Sequence, residues 1–177
     1  MLLEDLCALM ATAGVHPDAL LQLDFKEDET VLTPGTLENF VRATSPFAAN
    51  FVVSSGNARA VEMLTQAVPG MLAGFDPSDE DVFKAALGAG TLDSFVADAI
   101  AASPSSNMIY LNWQIVTLAA DAGFDIVAAF HKRGRRIDAW TIKAADAEML
   151  PVIERLLALK VDQITTDDPE GMAAALR

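Results

Sequence analysis

Alternating strand and helix patterns run along the 177-residue chain, and no other feature narrows its possible folds as much. Six short stretches rich in β-branched and other apolar residues predict strands, with helical patterns before, between and after them. The predicted strands cover 20–25, 51–54, 71–74, 108–112, 137–140 and 162–165. Because parallel strands need crossover connections, this alternation predicts right-handed βαβ units and a parallel sheet.

Helix boundaries are marked by caps and prolines. Pro34 opens a helix over 35–44, and Asn57 is a predicted N-cap. Asp168 followed by Pro169 predicts the start of the last helix. After the third strand an acidic stretch leads into a helical region reaching about residue 101, and one helix is predicted from the fourth strand to residue 132.

Two architectures fit this pattern: a doubly wound open sheet, or part of an eight-stranded barrel. No glycine-rich dinucleotide or phosphate loop follows any predicted strand, which weakens the nucleotide-binding version of the open sheet. The strand pattern alone leaves both architectures open. The length fits one domain over 1–177.

The formal net charge is −13, from 25 acidic against 12 basic residues. This balance disfavours nucleic acid and anionic membranes, which bind through Lys and Arg. No apolar run approaches the roughly 18–20 residues of a membrane-spanning helix. The first residues are acidic where a signal peptide is basic, so a cytoplasmic chain is expected.

Cys7 is the only cysteine, which excludes a disulfide or a cysteine-based zinc site within this chain. It lies among Leu3, Leu6 and Met10 at helical spacing. We therefore expect Cys7 to be a small buried hydrophobic residue.

Four stretches of the sequence carry distinctive motifs. They read QLDFK at 22–26, FVVSS at 51–55, GRRIDAWTI at 134–142 and VDQITTDDP at 161–169. In order and spacing they resemble the third, fourth and last two strands of the glycerophosphodiester phosphodiesterase family. The resemblance implies an α/β fold, namely an incomplete TIM-type (β/α) barrel holding six of eight strands.

Parts of the family pattern are absent from this sequence. The family's His-Arg strand, Glu-x-Asp strand and His-Asp segment have no counterpart, so no catalytic residue is assigned. Asp24 stands where the family usually has glutamate, and Gly56 replaces an aromatic residue. The isolated chain is therefore expected to be inactive, and a barrel lacking two strands is expected to self-associate through its open edges.

The resemblance implies metal-dependent hydrolysis of glycerophosphodiesters to glycerol 3-phosphate and an alcohol. Carboxylates would hold Ca²⁺ or Mg²⁺ in the complete enzyme, with two histidines as general acid and base. Here it assigns Asp24 to the metal, Lys26 to the substrate phosphate and Trp140 to the glycerol backbone. The alternative is a non-catalytic barrel remnant or a partner-binding fragment.

Barrel enzymes keep their chemistry at the C-terminal ends of the strands. His16 and His131 precede strands and are expected at the opposite end. Asp24 and Lys26 could equally form a surface ion pair, and Trp140 could simply fill the barrel. The residues expected at the C-terminal ends are Asp24, Lys26, Ser54, Ser55, Asn112, Trp113, Trp140, Thr166, Asp167 and Asp168.

Overall fold

The computed structural model describes residues 2–16 and 18–176. The strands in this part of the chain are β1 (Leu21–Asp24), β2 (Phe51–Ser55), β3 (Leu72–Phe75), β4 (Met108–Asn112), β5 (Arg136–Ile142) and β6 (Gln163–Thr166). The α-helices are α1 (Leu3–Ala13), α2 (Pro34–Thr44), α3 (Ala58–Ala67), α4 (Glu80–Ala89), α5 (Leu92–Ala102), α6 (Trp113–Asp121), α7 (Ile126–His131), α8 (Leu150–Ala158) and α9 (Pro169–Ala175). Short 3₁₀ helices cover Glu29–Val31 and Ser45–Asn50. All six predicted strands are confirmed.

The strands follow one another across the sheet in the order β1-β2-β3-β4-β5-β6. The pairs β1–β2, β2–β3, β4–β5 and β5–β6 are parallel. A doubly wound sheet reverses its strand order part-way, at the point where ligands bind. The uninterrupted order therefore excludes that architecture and agrees with barrel connectivity.

The described residues form two compact units. The first holds 2–16, 18–75 and 103–106, and the second holds 76–102 and 107–176. In the first unit every residue of β2 is buried, and the strand packs against α3. Val61 and Leu64 face this core, as their helical spacing predicts. Cys7 is 6% exposed, which confirms it as a buried hydrophobic residue, and burial raises the pKa of its thiol.

The second unit has its core around β4 and β5. Ile109 and Leu111 of β4 and Ile137 of β5 are fully buried, as apolar strands covered on both faces should be. α4 and α5 meet through Phe83 and Phe95, whose ring centroids lie 5.7 Å apart at an interplanar angle of 76°. This is the edge-to-face arrangement that aromatic pairs prefer.

The predicted helix from β4 to residue 132 is divided in the structure. α6 ends at Asp121, Gly123 adopts a φ of 80°, and α7 begins at Ile126. Asp125 caps α7 by accepting a hydrogen bond from the Ala128 backbone N–H at 2.8 Å. A glycine with positive φ ends one helix, and an aspartate N-cap begins the next. Together they divide the helix in spite of the continuous apolar periodicity.

Within residues 2–16 and 18–176, no helix is both long and apolar enough to cross a membrane.

Candidate functional site

Asp24 and Lys26 lie at the C-terminal end of β1. Lys26 Nζ lies 2.6 Å from Asp24 Oδ2, and the two side chains are 78% and 45% exposed, respectively. An ion pair this open to solvent adds little stability. Both groups can reach a ligand in solution, so the contact is compatible with a site and with a surface ion pair.

The serines at the end of β2 are held by neighbouring side chains and backbone. Ser54 pairs in register with Asp24, and its Oγ accepts a hydrogen bond from Gln22 Nε2 at 2.8 Å. Ser55 Oγ accepts one from the Asn57 backbone N–H at 3.0 Å. Both serines are buried. These contacts give Ser54 and Ser55 a structural role at the strand end.

Glu29 is a further carboxylate of this unit, and the sequence did not single it out. It lies in the 3₁₀ helix after β1, and its Oε2 accepts a hydrogen bond from Asn57 Nδ2 at 2.5 Å. Asn57 Oδ1 in turn accepts from the Ala60 backbone N–H at 2.9 Å, which confirms the predicted cap of α3. Glu29 is thereby tied to the first turn of α3.

A complete Ca²⁺ or Mg²⁺ site does not fit the residues described. Over 2–16 and 18–176, no three His, Cys, Asp or Glu side chains are grouped closely enough to hold a metal ion. Asp24 is already engaged by Lys26. These ions take about six to eight oxygen ligands, or keep several waters around one or two carboxylates. Asp24 could therefore supply only part of a metal site.

Trp140 lies within β5 and is half-buried. Its indole Nε1 is buried and has no hydrogen-bond partner among the described residues. Buried tryptophan N–H groups usually find an acceptor. The indole N–H of Trp140 is therefore an exception to this rule.

Asp138, two residues before Trp140, is a buried carboxylate that sequence analysis missed. Its relative exposure is 0%, and Thr165 Oγ1 lies 3.0 Å and 2.9 Å from its two carboxylate oxygens. Burial raises the pKa of Asp138 to about 6, although hydrogen bonds from Thr165 and Gln163 lower it, and the charge of Asp76 adds to the rise. The sequence did contain a sign of this buried carboxylate, namely an aspartate within the otherwise apolar strand IDAW.

The end of β4 is braced by Ser78. Ser78 Oγ lies 3.3 Å from the Tyr110 carbonyl oxygen, to which it donates, and accepts from the Asn112 backbone N–H at 3.1 Å. Asn112 then caps α6, because its Oδ1 accepts from the Gln114 backbone N–H at 2.9 Å. Trp113, which was expected at a C-terminal strand end, lines a cavity of about 400 Å³.

Neither histidine joins these groups at a strand's C-terminal end. His131 ends α7, and its Nε2 lies 2.8 Å from Asp162 Oδ2, just before β6. The same carboxylate oxygen accepts from the Ile137 backbone N–H near the start of β5. Burial acts to raise the pKa of Asp162, but these two hydrogen bonds and the charges of His131 and Arg136 together lower the pKa overall. His16 is exposed, and its Nδ1 accepts from the Asp18 backbone N–H.

Asp168 is confirmed as a helix cap. Its Oδ1 accepts from the Gly171 backbone N–H at 2.9 Å, and Oδ2 accepts from the Ala145 backbone N–H at 3.1 Å. Both hydrogen bonds lower the pKa of this carboxyl group, the one from Gly171 more strongly. With both oxygens occupied by backbone donors, Asp168 holds the start of α9 against the loop after β5.

No protein-family model matches the sequence, and no curated protein matches it. Solved structures do. A glycerophosphodiester phosphodiesterase from Parabacteroides distasonis superposes with a TM-score of 0.66 at 14% identity, covering 98% of this chain and 63% of that one. A Galdieria sulphuraria protein assigned to the same enzyme class gives 0.67 at 17% identity, with 99% and 63% covered. The chain has the fold of part of a glycerophosphodiester phosphodiesterase.

An Oleispira antarctica phosphodiesterase in complex with the product sn-glycerol-3-phosphate also matches, with a TM-score of 0.54 at 16% identity. That match covers 99% of this chain and 60% of the other. The chain thus spans less than two thirds of these structures. Together with the strand order, the likeness confirms the predicted fold class, an α/β fold with six of the eight strands of a TIM-type barrel.

Proposed function

We propose that this chain is the larger part of a metal-dependent hydrolase that splits glycerophosphodiesters into glycerol 3-phosphate and an alcohol. One observation carries the proposal. The four stretches that resemble the family form or border β1, β2, β5 and β6 of a chain whose fold matches such enzymes over 98% of its length. The fold match adds to the motif resemblance because it does not depend on close sequence similarity, the identity being only 14%.

Each proposed binding residue has a group suited to its part of the substrate. The Lys26 ammonium is exposed and would hold a phosphate oxygen in place of Asp24. The Trp140 ring, which is half-buried, would lie against the glycerol carbons. Asp24 would then be released as one oxygen ligand for Ca²⁺ or Mg²⁺.

The described residues do not complete the reaction. A divalent cation would supply charge neutralisation at the phosphodiester, but its other ligands are not among the groups found here. His131 is bound to Asp162, and His16 is exposed beside Asp18. In this proposal the remaining metal ligands and the proton-transfer groups are therefore not among the residues described. No residue of the chain is assigned a catalytic role.

A second candidate function is a non-catalytic module that associates through its sheet edges. β1 and β6 end the strand order, so each presents one unpaired side within the part of the chain described. Unpaired strand edges readily pair with another chain. In this version the Asp24–Lys26 contact is only a surface ion pair.

The test combines an activity measurement with a binding measurement. The purified chain is assayed for glycerol 3-phosphate release from glycerophosphoethanolamine with Mg²⁺ or Ca²⁺, and titrated with sn-glycerol 3-phosphate by NMR. No turnover is expected, because each missing acid or base group costs about 10²–10⁴ in rate. Binding is expected to weaken about tenfold in Lys26→Ala, as loss of a charge-assisted contact would predict.

Lys132→Ala is the matched control, because Lys132 is an exposed lysine at the end of α7 and takes no part in the proposal. Rapid metal-dependent hydrolysis by the chain alone would show that its catalytic groups lie within these residues. If Lys26→Ala and Lys132→Ala bind the product equally well, Lys26 has no phosphate-binding role, and the non-catalytic module becomes the better account.

A further inference from the structure

The cavity beside the end of β4 lies entirely within the second compact unit, between the start of α4 and the start of α6. Its volume of about 400 Å³ falls in the range of small-molecule sites, roughly 300–1,000 Å³. None of its lining residues has a role in the proposed phosphodiester chemistry. It is therefore a candidate for separate binding.

One wall of the cavity is apolar and aromatic. Phe83 and Ile115 are buried and form a fixed surface, since Phe83 is held edge-to-face by Phe95. The half-buried Trp113 ring and Leu118, which is 42% exposed, continue this surface toward solvent. A planar apolar group placed here would bury carbon surface without moving the core.

The polar residues that line the cavity are already positioned. Ser78 holds the end of β4 through its contacts with Tyr110 and Asn112. Asn112 Oδ1 is held by the Gln114 backbone N–H, which fixes the orientation of the side-chain amide. The exposed Gln114 side chain adds a second amide. Positioned amides beside an apolar surface are typical of a small-molecule site.

The charges at the cavity cancel. Glu80 and Lys84 both line it and are paired with each other one helical turn apart. An organic anion would have to compete with Glu80 for Lys84, and a cation with Lys84 for Glu80. The chain's net charge of −13 further disfavours anions.

We propose that this cavity binds an uncharged small molecule that carries an aromatic ring and one hydrogen-bonding group. The ring lies against Trp113 and Leu118, and the polar group meets the amides of Asn112 and Gln114. The site is independent of the phosphodiesterase proposal, because it needs neither a metal ion nor a phosphate.

The test uses benzyl alcohol as the probe and the full chain labelled with 5-fluorotryptophan. The two tryptophans give two ¹⁹F signals, which Trp140→Phe assigns. Benzyl alcohol should shift the Trp113 signal saturably, with a Kd on the order of millimolar for so small a ligand, and leave the Trp140 signal in place. Such selectivity would locate the probe in this cavity.

Leu118→Phe should fill part of the cavity and weaken binding about fivefold or more, since the larger side chain takes up space that the ligand would occupy. Leu157→Phe is the matched control, because Leu157 is 44% exposed on α8 and does not line the cavity. Its Kd should stay within about twofold of the parent value. Thermal unfolding of both variants verifies that each is folded.

Three results would overturn the proposal. The Trp113 signal could fail to saturate, or Leu118→Phe and Leu157→Phe could bind the probe equally well. Tighter binding of benzoate or benzylammonium than of benzyl alcohol would show that the site selects a charge, and would reject the uncharged ligand.

Discussion

Asp138 is the residue whose surroundings depart most from those of an ordinary aspartate. The unfolded carboxyl group titrates near 3.8, whereas burial raises the pKa of Asp138 to about 6 in the folded chain. Between these values the folded state keeps a proton that the unfolded state has lost. Folding stability therefore falls as the pH rises through this window, by up to about 3 kcal/mol.

Asp138→Asn should remove this pH dependence, because the amide has a similar shape and carries no charge. Between pH 4 and pH 8, the unfolding free energy of the variant should gain up to about 3 kcal/mol relative to the parent. Urea unfolding at several pH values measures the difference. Asp98→Asn, at an exposed position of α5, controls for the loss of one negative charge. A difference that is constant with pH would mean that Asp138 stays ionised in the folded state.

Asp24 is the one metal ligand that the resemblance assigns, and by itself it should bind weakly. Ca²⁺ or Mg²⁺ should bind the chain with a Kd on the order of millimolar or weaker, since one carboxylate supplies too few oxygens. Calorimetry with the parent chain, Asp24→Asn and the control Glu29→Gln tests this. Micromolar affinity lost in Asp24→Asn would reveal ligands that the described structure does not bring together.

At the scale of elements, the first turn of α3 is tied to the 3₁₀ helix after β1 by Asn57. Asn57→Ala removes both the helix cap and the hydrogen bond to Glu29, and should lower the unfolding free energy by about 1–2 kcal/mol. Asn57→Ser keeps an acceptor for the cap and should recover most of that loss. Urea unfolding compares these variants with Asp125→Ala, which removes the cap of α7. Equal losses in the Ala and Ser variants would mean that the Glu29 contact dominates.

At the scale of the whole molecule, the sheet edges and the charge act in opposite directions. The unpaired sides of β1 and β6 favour pairing between chains, whereas a net charge of −13 repels them. Added salt screens the repulsion, because the Debye length falls to about 3 Å at 1 M. Association should therefore increase with both protein concentration and salt.

Light scattering of the purified chain should show an apparent molar mass that rises with protein concentration. Leu20→Lys places a charge next to β1, where Leu20 is 42% exposed, and should suppress the association. Leu9→Lys, at a 56% exposed position of α1, is the control and should leave it unchanged. A chain that remains monomeric at every concentration and salt level would contradict edge pairing.

The helices and strands, and their succession along the chain, were predictable from the amino-acid sequence. Six strands lie within two residues of their predicted ends, and the caps at Asn57 and Asp168 form as predicted. These features follow from local rules, since period, cap chemistry and proline geometry act over a few neighbouring residues. The predicted continuous helix to residue 132 failed at Gly123, where a single left-handed residue outweighed the apolar pattern.

The contacts that the candidate groups make became known from the packing of the folded chain. Asp24 forms an ion pair with Lys26. Glu29 is hydrogen-bonded to Asn57, and His131 is hydrogen-bonded to Asp162. Pairs such as His131 and Asp162 lie 31 positions apart in the sequence, so strand pairing and helix packing alone bring them within hydrogen-bond distance. The burial that shifts the pKa of Asp138 depends likewise on neighbouring strands, because desolvation is set by everything packed around a group and not by its position along the chain.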